Sequence, residues 1–214
     1  AITKIETQNK LQEQRLSISR DLHDNIGAQL TFIISSVETL KQVFRIDDDK
    51  INNRLSSISS FTRDTITELR DTIWAMNHSE IDFNEIRSRI LNFVEKAQQS
   101  SEHINIIFER DPVLDNLHFS SVEGMNIYRI TQEAVNNAIK YAEAKNISLA
   151  AEQIDNQIKI KIKDDGKGFD IDNTELGNGI RNMRKRAAEI NSEIIIDSEI
   201  GKGTSIILVI PNIS

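Results

Sequence analysis

Apolar positions early in the chain recur at steps of four and three: Leu22, Ile26, Leu30, Ile33, Val37, Leu40 and Phe44. That spacing is the signature of a buried stripe on a helix. Up to about residue 45 proline is absent and Gly27 is the sole glycine, so the stretch reads as one long helix. It is polar from Gln8 to Gln14 and amphipathic from Leu16 or Ile18. Gly27 costs a helix interior about 1 kcal/mol relative to Ala; either another backbone approaches closely there, or the helix is long enough to tolerate it. Asp47, Asp48 and Asp49 mark a break and an N-terminal cap for a second helix, because carboxylates favour the positive helix N-terminus. From Ile51 the stripe resumes through Leu55, Ile58, Thr62, Ile66, Leu69, Ile73 and Met76. The many Ser and Thr of this second helix read as a polar outer face. Two such helices joined by a short loop form an antiparallel hairpin whose apolar faces exceed what one partner helix covers. Pairing two hairpins into a four-helix bundle buries both, which predicts a homodimer.

Asn77 to Asp82 reads as a boundary, dividing the chain into units 1–79 and 80–214, with Trp74 expected to pack at the junction. Helical spacing returns from Phe83 to Ser101, and from Glu102 the period changes to that of strands. Ile104 to Phe108 reads as a strand ended by Asp111-Pro112, and Ser120 to Ala144 as a helix. Two alternating runs, Ile147 to Glu152 and Ile158 to Ile162, predict a hairpin through Asp155-Asn156. A glycine-punctuated loop (Asp164 to Gly179), a basic helix (Ile180 to Ile190) and strands at Glu193 to Asp197 and Thr204 to Val209 complete the pattern. Helices segregate from a mixed or antiparallel sheet, so the class is α+β.

Composition narrows this picture. The 214 residues include two prolines (Pro112 and Pro211), no cysteine, and a net charge of -7. Absent cysteine excludes a disulfide framework, a thiolate metal site and a cysteine nucleophile, and fits a cytoplasmic location. The negative charge argues against nonspecific attachment to nucleic acid or anionic membrane. No run approaches the ~20 apolar residues that span a bilayer.

Candidate chemistry sits in five places. His23 lies in Arg20-Asp21-Leu22-His23-Asp24, next to a stripe residue and so expected at the flank of the seam, partly in water. Glu133, Asn137 and Lys140 share a helix face; a small set of hard oxygen donors beside a cation suits Mg²⁺ held together with nucleotide phosphates. Asp164-Asp165-Gly166-Lys167-Gly168 follows a strand, where a carboxylate can accept from an exocyclic amine and glycines admit a flat base or a phosphate. Gly177-Asn178-Gly179 enters a helix, whose free N–H groups bind phosphate. Gly201-Lys202-Gly203-Thr204 stands at a strand entrance. Singly these mark turns; in this order, with a sheet between them, they point to a nucleotide. His78, His103 and His118 have no second ligand at metal spacing.

The second half closely resembles the α/β-sandwich ATP-binding domain shared by sensor histidine kinases, heat-shock protein 90, MutL and type II topoisomerases. Glu133 and Asn137 match its N-box, Asp164, Gly166 and Gly168 the first glycine box, Gly177 and Gly179 the second, and Gly201, Gly203 and Thr204 the threonine-bearing box. Arg20 to Asp24 on a dimerising helix resembles the phosphoacceptor box of the histidine-kinase subgroup in which Asp follows His. The resemblance implies an ATP-dependent protein-histidine kinase in which His23 takes the γ-phosphoryl group and yields it to an aspartate of a response regulator. It further implies Asp24 as the base that holds the imidazole, Arg20 as its orienter, Asn137 and Glu133 as Mg²⁺ ligands, and Asp164 as reader of the adenine amine. Lys140, Arg181 and Arg184 either face phosphates or are solvated. Tyr141 stands where many relatives carry His.

Relatives with strong phosphatase activity carry Gln five residues after the acceptor His; here Ala28 stands there and Gln29 one later, so weak dephosphorylation of the regulator is expected. A sensor module, and any membrane-spanning region, would precede Ala1. Two other functions compete: an anti-sigma-type Ser/Thr kinase of the same ATPase superfamily, which would lack the His-bearing hairpin, and a dimeric adaptor that binds nucleotide without transferring it.

Overall fold

A computed structural model describes residues 10, 13–14, 16–44, 48–100, 103–171 and 177–211, with the His23 side chain outside that set. The chain divides into compact units at Ser79/Glu80. In the first, helical residues 16–21 run into a π-turn, Leu22–Ile26, and then α1, Gly27–Val43. The π-turn departs from the uninterrupted α-helix that the spacing predicts: the Gly27 N–H donates to the Leu22 carbonyl, five residues back. Such wide turns are rare and occur mostly as single-turn insertions. A Cβ at Gly27 would meet nothing within 4 Å, so among the described residues of the first unit no other backbone approaches it closely. The remainder of the expected first helix, and the break at Asp47, lie outside the described residues.

Helix α2, Asp49–Met76, begins as its aspartates require: Asp48 is the N-cap, and its carboxylate accepts from the Lys50 and Ile51 N–H groups. Pairing of α1 with α2 buries Val37 from the first stripe, while Ile33, Leu40 and Phe44 stay exposed. From α2 it is Ser59, Thr62 and Asp71 that are buried. Ser59 therefore belongs to the seam and not to the polar outer face the sequence suggests. Thr62 satisfies its hydroxyl on the Ile58 carbonyl at 2.8 Å, and Lys41 crosses to Ser56 at 3.0 Å. Phe32 and Phe61, 73% and 74% exposed, show how much apolar surface one hairpin leaves uncovered. Trp74 stacks obliquely on His78, ring centroids 5.2 Å apart, and the His78 Nδ1–H donates to the Trp74 carbonyl at 2.8 Å.

The second unit is a layer of helices on one face of a mixed sheet. A short antiparallel pair, β1 (Glu80–Asp82) with β3 (His118–Ser120), registers Ile81 against Phe119. Both strands are three residues long, too short to show as alternation. Helix α3 (Phe83–Ser100), β2 (Asn105–Arg110) and a 3₁₀ turn (Pro112–Asn116) lie between them. Helix α4, Ser121–Tyr141, opens with a capping box between Ser120 and Glu123 and closes at Ala142, short of the Ala144 expected. The main sheet contains β4 (Asn146–Ile154), β5 (Gln157–Asp164), β6 (Glu193–Glu199) and β7 (Gly203–Pro211) with β2, in the order β2-β4-β5-β7-β6. Only β2–β4 is parallel. The β4–β5 hairpin turns at Asp155 and Asn156 with φ of 50° and 62°, the primed turn that matches strand twist. Ile158, Ile160 and Ile162 are buried while Lys159, Lys161 and Lys163 alternate away, and α5 (Asn178–Glu189) covers the same inner side through Met183 and Ala187.

Gly203 has φ +83°, and a Cβ there would run into the Asp164 carbonyl, so Gly203→Ala should lower second-unit stability by at least about 1 kcal/mol. Gly27→Ala, with open space and helical φ, should instead stabilise the first unit by up to about 1 kcal/mol. Denaturant unfolding of each variant measures both, and equal effects of the same sign would contradict this backbone reading.

Candidate active site

A cleft of about 500 Å³ opens in the second unit. Helix α4 contributes Glu133, Ala134, Asn137, Ala138 and Tyr141, spaced so that three- and four-residue steps bring them to one face. Beyond them the wall is made by Asp164 at the end of β5, by Lys167, Gly168 and Phe169 after it, by Gly177 to Ile180 entering α5, and by Thr204 and Ile206 of β7. The four motif clusters, spread over some seventy residues (133–206), therefore meet around one cavity.

Asp164 is the best-defined polar group of that cavity. It is only 6% exposed, and its Oδ1 accepts from the Gly166 N–H at 2.9 Å and the Thr204 N–H at 3.3 Å. Neither of these bonds uses Oδ2. Burial pushes its carboxyl pKa up, against the lowering effect of the two N–H donors. The neighbouring Asp165 behaves oppositely: exposed, it accepts from the Lys145 and Asn146 N–H groups and from Asn146 Nδ2, and the bonds from Asn146 hold its pKa down. Asp165 thus fastens the loop from outside while Asp164 serves the cleft.

The glycines act by close approach. A Cβ at Gly166 would strike the Ala142 carbonyl, and one at Gly168, where φ is +58°, the Glu199 carbonyl. The Lys167 N–H donates to the Ala142 carbonyl at 2.7 Å, and the Gly201 N–H to the Lys167 carbonyl at 2.7 Å. The loop after β5 is thereby stitched to the end of α4 on one side and to the β6–β7 turn on the other. At Gly179 a Cβ would collide with Glu133 Oε1 and sit 3.3 Å from Asn137 Nδ2, so glycine there leaves both polar side chains uncovered.

Not every expected residue reaches the cleft. Lys140 is exposed on α4 and does not line it, nor do Arg181 and Arg184, exposed on α5. Gly166 is buried beneath the loop and supports the wall without lining it. Loop residues 172–176 lie outside the described residues. The cationic side chain among the lining residues is Lys167, whose Nζ pairs with Glu143 at 2.8 Å. The sequence holds Lys167 within the Asp164 to Gly168 cluster but carries no separate signal for a role of its side chain. Sequence reasoning also missed the apolar walls Ala134, Ala138, Ile180 and Ile206, which only the packing of α4 against β7 and α5 brings together.

In the first unit, His23 and Asp24 lie within the π-turn and Arg20 just before it, with Arg20 and Asp24 exposed. The expectations for the His23 side chain, that it stands at the seam's flank and is held by Asp24, fall outside the described residues. A groove beside this turn is lined by Asp24, Gly27, Ala28 and Thr31 of one helix and Ile66, Leu69, Arg70 and Ile73 of the other. Ala28 lines it and Gln29, one step further round, does not.

Two family models match the chain. One, described as histidine kinase, covers residues 14–81; the other, described as histidine kinase-, DNA gyrase B-, and HSP90-like ATPase, covers residues 123–213. The first takes in Arg20 to Asp24 and the second every glycine box. A sensor-like histidine kinase of Chloroflexus aurantiacus is 27% identical over 207 residues, covering 94% of this chain and 34% of the relative. The chain thus spans about a third of that relative's length. The histidine kinase AdeS of Acinetobacter baumannii is similar in structure with a TM-score of 0.58 at 14% identity, covering 87% of this chain and 98% of that one. Full-length ShkA in complex with AMPPNP gives a TM-score of 0.56 at 15% identity, over 93% of this chain and 45% of that one. At such identities these two likenesses concern the fold.

The raised pKa of Asp164 has a definite sign in linkage. Its stabilising contribution is fully present below the unfolded value, 3.8, and is lost as pH rises through the elevated folded value. The difference in unfolding free energy between the ligand-free protein and Asp164→Asn should therefore shift in favour of the variant as pH rises through that window. A difference that does not change with pH would show that the Asp164 carboxyl titrates normally.

Proposed function

We propose, for a chain that belongs to the histidine kinase family, that it is an ATP-dependent catalytic core which phosphorylates its own His23 and passes the phosphoryl group to an aspartate of a response regulator. The observation that carries this reading is the convergence of Asp164, Thr204, Asn137 and Glu133 on one cleft, in a chain whose separate helical hairpin bears the His-Asp box. Asp164 Oδ2, not engaged by the two backbone donors that use Oδ1, is suited to accept from the adenine amine. Ala138, Ile180 and Ile206 offer apolar surface to the base. Gly177 and Gly179 open α5, whose first N–H groups are free for phosphate. That AMPPNP is bound in the structurally similar ShkA supports an adenine nucleotide.

Mg²⁺ suits the same face of α4. Asn137 and Glu133 are hard oxygen donors one helical turn apart, and Gly179 keeps the space over them free of any side chain. Mg²⁺ would neutralise charge on the phosphates; Asn137 would hold it and Glu133 would support it or its water. In transfer, a ring nitrogen of His23 attacks the γ-phosphorus, the bond to the bridging oxygen breaks, and ADP leaves. Asp24 takes the proton from the other ring nitrogen and keeps the imidazole in one tautomer; Arg20 orients Asp24. The phosphoryl group then passes to the regulator's aspartate. We further assign dimerisation to the exposed apolar face around Phe32, Phe44 and Phe61, since two such faces cover each other in a four-helix bundle. The setting that fits this activity is the cytoplasmic portion of a sensor, with any membrane attachment in a region outside this chain.

Incubation with γ-labelled ATP and Mg²⁺ should give an acid-labile, alkali-stable label that is lost in His23→Ala with ATP binding retained. Asn137→Ala should lose transfer. Acid-stable label, or label persisting in His23→Ala, would sink the assignment, and binding without label would favour a nucleotide-binding adaptor.

Ala28 faces the groove where a glutamine would position water, so the protein should dephosphorylate its regulator slowly in the presence of ADP. Rapid phosphate release that Gln29→Ala abolishes would overturn this expectation.

A further inference from the structure

Ser198 is a half-buried residue of β6 that lines no part of the cleft, yet its hydroxyl touches Phe169 and Thr204, which do line it, and Gly203 next to them. The Phe169 N–H donates to Ser198 Oγ at 2.9 Å. Ser198 Oγ lies 3.2 Å from the Gly203 carbonyl and 2.9 Å from Thr204 Oγ1. A serine hydroxyl has one proton and two lone pairs. The Gly203 carbonyl can only accept, and the Phe169 N–H can only donate. The arrangement that satisfies all three contacts at once gives the Ser198 proton to Gly203 and makes Thr204 the donor to Ser198. The Thr204 proton is then spent inside the protein, and Thr204, a residue of the cleft wall, is left with lone pairs alone at Oγ1. Beside it stands Asp164, tied to Thr204 through the backbone and likewise an acceptor when ionised.

We infer that Ser198 is a positioning residue for nucleotide selectivity: by holding the Thr204 hydroxyl proton, it keeps Thr204 Oγ1 and Asp164 an acceptor-only pair that takes a purine with an exocyclic amine and rejects one with a carbonyl at the same ring position. The inference rests on the adenine-nucleotide reading above. An acceptor that meets a carbonyl leaves both groups unpaired and desolvated, and that mismatch is what makes such sites discriminate.

The test compares binding of ATP with that of inosine triphosphate, which differs at the six-position of the ring, amine against carbonyl, with the accompanying ring proton. The wild-type protein should prefer ATP. In Ser198→Ala the Thr204 hydroxyl is free to turn and donate to the inosine carbonyl, so the ATP-to-inosine affinity ratio should fall by about tenfold, the scale of one misplaced hydrogen-bond partner. Ser198→Thr, which keeps the hydroxyl, should restore the ratio. Ser198→Cys, near-isosteric and only a weak donor and acceptor, should give a smaller fall in the same direction and serves if the alanine variant does not fold. In a Thr204→Val background, Ser198→Ala should leave the ratio where Thr204→Val put it. A merely structural role, through the loop at Phe169, lowers both affinities together and leaves the ratio alone; that result overturns the inference while the adenine-nucleotide reading stands. An equal ratio change with and without Thr204 also overturns it. Failure of the wild-type protein to bind ATP at all would instead remove the nucleotide reading itself, and this inference with it.

Discussion

One buried carboxylate organises the second unit. Asp164 ends β5 at 6% exposure, where an ionised group is costly unless donors meet it. Two backbone N–H groups do so, one from Gly166 just ahead in the chain and one from Thr204, forty residues on. Because both use a single oxygen, the carboxylate is anchored without being used up. For Thr204 to come within reach, β7 must start tight against the end of β5. That proximity is why Gly203 has no room for a side chain over the Asp164 carbonyl, and why Gly168 has none over Glu199. Gly166, Gly168 and Gly203 are thus consequences of how closely these backbone segments must converge, and the burial that results is what raises the pKa of Asp164 against the pull of its two N–H donors.

The loop between these anchors is held from several directions. Asp165 fastens it to the start of β4, Lys167 ties it to the end of α4, and Ser198 binds it at Phe169. An end of the cleft fixed in this way needs little reorganisation when a ligand arrives, which favours selectivity. The opposite end is different in kind. It depends on the entry to α5 and on the α4 side chains Glu133 and Asn137, which have room only because Gly179 carries no Cβ.

The hairpin obeys a different constraint. Its helices bury small and polar residues, Ser59 and Thr62, against each other, and keep Phe32, Phe44 and Phe61 outside. An intramolecular seam of α1 and α2 whose buried residues are Val37, Ser59, Thr62 and Asp71 among those described contributes little hydrophobic stabilisation, so cover for the aromatic face is what would complete the unit energetically. At the His23 box the helix widens into a π-turn. The extra residue in that turn resets the angular relation between Arg20, His23 and Asp24 and everything after Gly27, so side-chain facing inferred from uniform helical steps does not carry through it.

By itself the sequence determined the elements with a strong period and the chemistry with a strong order. The stripes of α1 and α2, the Asp48 cap, the Asp155-Asn156 hairpin and the succession of glycine boxes all follow from local rules acting within a few residues. Glu133, Asn137, Asp164, Gly168, Gly177, Gly179 and Thr204, named from motif order alone, do line one cleft. What local pattern could not decide was anything settled by a distant neighbour. The parallel β2–β4 pairing and the three-residue β1–β3 sheet are register choices made by the whole layer. Lys140 shares a helix with Asn137 but does not line the cavity, whereas Lys167, to which the motif order assigned nothing, enters its wall. Ser198 carried no motif at all, because its importance lies in three hydrogen bonds to groups up to twenty-nine residues away. A hydroxyl's proton is assigned by the partners that surround it, and only the folded chain supplies those partners.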